Sequence, residues 1–127
     1  MTGYVYPDKR ELANAIKKLF RDCKLGYDYG LFYDDCMDTW KLVKGTDGQY
    51  RYKKETRKGV RALDHCKWFG EVTGHFYMGM WFDGDVYSMF YGYDKKRCRQ
   101  RLDELLDRYG MEIIFPDYTH VEIIPKG

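Results

Sequence analysis

No stretch of this 127-residue chain approaches the roughly 20 consecutive apolar residues of a membrane-spanning helix, so no membrane role is expected. The start of the chain lacks the apolar core of an export signal, which points to a cytoplasmic setting. Four cysteines, at positions 23, 36, 66 and 98, show no paired spacing and read as reduced thiols. Together with three histidines they offer no ligand pair at zinc-site spacing. Interior glycines occur singly, and neither GxGxxG nor GxxxxGK follows a strand-like segment, so a phosphate-cradling loop is missing. No constellation joins a nucleophile or base to a charge stabiliser. Hence no cofactor, metal or catalytic residue is expected, and the chain is read as leaning away from an enzyme.

Aromatic residues, by contrast, are abundant: 18% of the chain, with 13 tyrosines. Tyrosine joins apolar area to a polar tip, which suits half-buried sheet faces and binding surfaces. Charge is unevenly placed beneath a net +2. Residues 41–67 carry nine Lys and Arg against three Asp and Glu, while the segments on either side are net acidic.

Residues 75–93, HFYMGMWFDGDVYSMFYGY, hold eight of the 23 aromatics around Asp83-Gly84. Asp-Gly between alternating aromatic runs is a strong hairpin signal, because both residues tolerate the positive φ of a type I′ turn. That register puts Tyr77, Gly79, Trp81, Val86, Ser88 and Phe90 on one face, with Gly79 and Ser88 leaving a slot for a flat ring. Phe76, Met78, Met80, Phe82, Tyr87, Met89 and Tyr91 occupy the other. Neither face is polar, so one is expected to need a cover and the other a partner.

Two helices flank this segment. The first opens with Pro7 at its first turn or with Asp8 as its cap and Glu11 three residues on, and its stripe of Leu12, Ile16, Leu19, Phe20 and Cys23 is stopped by Gly26. Asp94 opens the second, with Cys98, Leu102, Leu105, Leu106 and Tyr109 before Gly110. Strands are expected at Tyr4–Tyr6, Tyr27–Tyr33, Trp40–Lys44, Gln49–Lys53, Met111–Phe115 and His120–Ile124. Gly45 to Gly48 turns one hairpin and Pro116-Asp117 another, while residues 56–69 are open between strand and short helix. The expected fold is α+β, one domain over residues 1–127: a two-layer sandwich of a mainly antiparallel sheet packed by two amphipathic helices, about 8–25 and 94–109.

Two short strings invite chemical readings. Asp34, Asp35 and Asp38 form DDxxD, which on a helix can hold magnesium, but acidic residues beside a strand are usually solvated loop. His65-Cys66 beside Asp64 suggests a nucleophile and base, yet sequence neighbours rarely face each other, and Cys66 reads better as a buried thiol.

The positive signals are therefore two. The aromatic face offers Tyr77, Trp81, Phe90, Tyr87 and Tyr91. The basic segment offers Lys41, Lys44, Arg51, Lys53, Lys54, Arg57, Lys58 and Arg61, interleaved with Trp40, Tyr50, Tyr52 and Trp68. The expected function is a small non-enzymatic binding or regulatory protein acting on a protein partner, of the size of phage and mobile-element inhibitors and accessory factors. A single-stranded DNA or RNA binder is the alternative, since cations for phosphates and rings for unpaired bases are its components. A nucleotide-like ligand or enzyme site in the Trp81 slot, and a homodimer through the aromatic face, are further readings. The bland one is a solvated hairpin whose lysines guard an exposed edge.

Overall fold

A computed structural model describes residues 8–34, 36–58, 77–92, 95–115 and 118–126. Its elements follow the order α1 (Lys9–Asp22), β1 (Tyr29–Tyr33), β2 (Cys36–Lys44), β3 (Tyr50–Lys58), β4 (Met78–Phe82), α2 (Gly84–Tyr91), α3 (Lys96–Arg108), β5 (Met111–Ile114) and β6 (His120–Pro125). The six strands form one open sheet in the order β3-β2-β1-β4-β6-β5, antiparallel at every junction. Three helices pack on one face. The α+β class and both expected helices stand, and a third helix joins them.

Local chemistry sets the boundaries. The Asp8 carboxylate accepts from the backbone N–H groups of Arg10 and Glu11 and so caps α1. The helix ends in a Schellman arrangement, Lys24 N–H to Arg21 C=O and Leu25 N–H to Phe20 C=O. Lys24, not glycine, takes the left-handed position at φ 57°, and the burial of Leu25 compensates. Lys44 pairs with Tyr50 to close the β2–β3 loop, where Gly48 sits at φ 80°.

The core joins the apolar stripes of the helices to one side of the sheet. Leu12, Ile16 and Phe20 of α1, Val86 and Met89 of α2, and Leu102 and Leu106 of α3 meet Tyr29, Leu31, Met78, Met80, Phe82, Val121 and Ile123. On the opposite side Phe32, Met37 and Glu122 are buried as well. The middle of the helix-free face is thus not an open aromatic surface.

The expected hairpin over residues 75–93 does not form. Asp83 is the N-cap of α2, its carboxylate accepting from the Gly84 N–H. Two physical reasons account for the difference. β4 lies between β1 and β6, so both of its edges are already paired and a returning strand has nowhere to bond. Val86, Met89 and Phe90 also continue from Phe82 at 4, 7 and 8 residues, the spacing of a helical stripe. The proposed Gly79–Ser88 pair fails with the hairpin: Gly79 faces Phe32 and Glu122, while Ser88 lies on α2. Tyr4–Tyr6, Asp64, His65, Cys66 and His75 lie outside the described residues.

Candidate functional site

Without the hairpin, the five residues expected on one aromatic face part company. Tyr77 precedes β4, half-buried, with the Lys9 ammonium 5.2 Å from its ring centre. Burial, then the charges of Asp8, Asp34 and Glu11, raise its pKa. Trp81 points to the helix-free side and lies across Gly30, its partner on β1. A Cβ on Gly30 would stand 2.2 Å from the indole nitrogen, and that nitrogen lies 3.4 Å from Met37 Sδ. The glycine is the slot, and the indole fills it, while Phe90 packs on the helix side against Phe82.

Phe90, Tyr87 and Tyr91 remain together on α2. Tyr87 and Tyr91 pack 4.8 Å apart, and Tyr91 continues to Phe115 and Tyr118 at 6.2 and 6.1 Å. Phe90 lies between Phe82 and Phe115, at 4.7 and 5.4 Å. Arg99 stands over Phe90 and Phe115 at 5.1 and 5.3 Å, held by a two-pronged bond to Asp103 at 3.1 and 3.2 Å. Tyr87, Tyr91 and Phe115 are 36–42% exposed and Tyr118 75%. Phe115 and Tyr118, which lie between β5 and β6, were missed because they contact α2 only through the fold.

A second ring cluster sits at the base of the β2–β3 hairpin. Register places Trp40, Leu42 and Lys44 with Tyr50, Tyr52, Lys54, Thr56 and Lys58 on the helix side. Tyr27, from the loop before β1, stacks on Tyr52 at 4.2 Å and 21° and meets Trp40 edge-on at 5.0 Å. The Trp40 indole N–H donates to the Tyr29 hydroxyl at 3.0 Å. Burial pushes the Tyr29 hydroxyl up to about 12, against the opposing pull of that bond.

The basic residues divide between the two hairpin faces. Lys41, Arg51, Lys53 and Arg57 point away from the helices, where Glu55 pairs with Lys41 at 3.8 Å and Asp47 with Arg51 at 2.7 Å. Lys44, Lys54 and Lys58 share the ring face, and none forms an ion pair with a described residue. Arg61, Lys67 and Trp68 lie outside the described residues.

The two described carboxylates of DDxxD also separate. Asp34 sits in the β1–β2 turn, paired to Lys9 at 3.3 Å. Asp38 faces the core from β2 and accepts from Lys17 Nζ at 3.2 Å, the Tyr33 hydroxyl at 2.5 Å and the Thr56 hydroxyl. Burial opposes ionisation of Asp38, but the bonds from Thr56, Tyr33 and Lys17 outweigh it and hold its pKa below the ordinary value. Burial first, and then Asp38, raise the pKa of Tyr33. This network ties α1 to β1, β2 and β3 beside the ring cluster, on the same face of the sheet. Lysine within the Ala13-Ile16-Lys17-Phe20 stripe was its sequence signal, because a lysine on a buried stripe calls for a carboxylate.

Three exposed carboxylates mark the approach between the clusters. A Cβ on Gly84 would stand 3.0 Å from the Asp28 carboxylate, and one on Gly26 3.3 Å from that of Asp85. Asp83, the cap of α2, lies beside them. No group of three His, Cys, Asp or Glu among the described residues is spaced to hold a metal ion. Comparison with protein-family models, curated proteins and solved structures returns no match.

Proposed function

We propose that this chain is a small non-enzymatic binding protein that docks on a protein partner through the ring cluster of α2. One observation carries the reading: Tyr87, Tyr91, Phe115 and Tyr118 are each more than a third exposed yet touch in one continuous cluster. Tyr and Phe, with Arg, are the residue types enriched where protein interfaces bury their anchors. Mutual ring contact holds the side chains before binding, which lowers the entropy lost when a partner orders them. Asp83 and Asp85 at the start of α2 favour a partner with basic residues around an apolar anchor.

The test is affinity capture from the source cell at physiological salt. The wild-type chain is expected to retain a protein that Tyr91→Ala/Tyr118→Ala loses, with a Kd weakened about 30-fold or more, about 2 kcal/mol. A catch that survives the double substitution, or no specific catch, overturns the reading. Sedimentation separates a foreign partner from a second copy: a dimer dissolved by the same double substitution would assign the cluster to self-association instead.

A further inference from the structure

We infer that the ring face of the β2–β3 hairpin binds single-stranded nucleic acid, an activity independent of the α2 cluster. The argument starts from how the hairpin spends its carboxylates. Asp47 and Glu55 neutralise Arg51 and Lys41 on the face away from the helices, where Lys53 and Arg57 have no ring beside them from the described cluster, and Asp38 is committed to Lys17. No described carboxylate answers Lys44, Lys54 or Lys58. Three cations thus share a face with the rings and await an anion from outside.

The rings decide which anion. Tyr50 is 63% exposed, and Tyr52 and Tyr27 are 43% and 37% exposed. Cross-strand pairing sets Lys44 against Tyr50 and Lys54 against Trp40, so each of these cations sits directly beside an aromatic ring. An acidic peptide would satisfy the lysines and leave the rings in water. A duplex would supply phosphates but hide its base faces within the stack. A single strand presents phosphates and open base faces together, which is the pairing of groove charge and stacking ring that sequence-tolerant single-strand binding uses. The rings are held by the Trp40–Tyr29 bond and by the contacts of Tyr27 with Trp40 and Tyr52, so the platform exists before a strand arrives.

The test is fluorescence anisotropy with a labelled oligothymidylate of about 15 nucleotides. Three neutralised phosphates give a log–log salt slope of about −2 on a single strand, so affinity is expected to fall about 20-fold between about 50 and 200 mM salt. Lys44→Gln/Lys54→Gln/Lys58→Gln is expected to flatten that slope. Tyr50→Ala/Tyr52→Ala is expected to weaken binding about tenfold or more at each salt while keeping the slope. Every position changed is exposed, and unchanged melting temperatures confirm intact folds. Tyr91→Ala/Tyr118→Ala is expected to leave oligonucleotide binding intact, so failure here is distinct from failure of the docking reading. Absent or salt-insensitive binding, binding indifferent to both hairpin variants, or a duplex of equal length bound as tightly would each overturn the inference. So would displacement by polyglutamate of equal charge, which would assign the face to an acidic protein.

Discussion

The two ring clusters differ less in their aromatic residues than in what supports and surrounds them. The α2 cluster rests on Phe82 and Phe90, an apolar floor, and the cation over it among the described residues, Arg99, is already engaged by Asp103. The hairpin cluster has an ionic network beside it on the same face, Asp38 with Lys17, Tyr33 and Thr56, and carries lysines that no described carboxylate answers. Similar rings therefore become different surfaces. One is suited to burying an apolar anchor, and the other to receiving an anion with flat faces. Aromatic content alone would have scored them alike.

The largest expected break in this contrast comes from the ionic network beside the hairpin rings. Lys17→Met removes the only cation among the described residues bonded to Asp38, which is buried together with its partner. The stranded carboxylate is expected to cost about 3–5 kcal/mol by denaturant unfolding, while Lys17→Met/Asp38→Leu recovers most of the loss. Next comes alkaline pH. The unfolded chain ionises its tyrosines from about pH 10, whereas folded Tyr29 keeps its proton to about 12. Stability therefore falls as pH rises through that window, by up to about 3 kcal/mol, and a melt series in which Tyr29→Phe shows the same alkaline slope would count against it. Smallest is the matching cut under the other cluster. Phe90 is half-buried, so Phe90→Ala is expected to cost about 2 kcal/mol, to weaken partner capture and to leave oligonucleotide affinity unchanged. A loss of both activities would mean the clusters act as one surface.

Much of the fold was legible where the determinants are local. Asp8 with its stripe to Phe20, the Gly45–Gly48 loop, and the Met111 and His120 strands each carry their signals within a few residues. α2 was misread because Asp-Gly serves both as a type I′ turn and as the start of a helix. Choosing between them needs the knowledge that β1 and β6 occupy both edges of β4, which is information from 50 residues upstream and 40 downstream. The helical stripe Phe82-Val86-Met89-Phe90 was present in the sequence and was outvoted by the turn signal. The site followed the same rule. The basic hairpin was visible as composition, but which of its cations share a face with the rings depends on register. Phe115 and Tyr118 joined the α2 rings only through tertiary structure.

The seating of Trp81 on Gly30 has a consequence for how this sequence can vary. A methyl group at position 30 would occupy the volume of the indole, so the two positions, on neighbouring strands but far apart in the chain, are constrained as a pair. A larger residue at 30 is tolerated only alongside a smaller one at 81. Distant relatives that keep this sheet should therefore show covariation between these columns even where the rings of both surface clusters have been replaced.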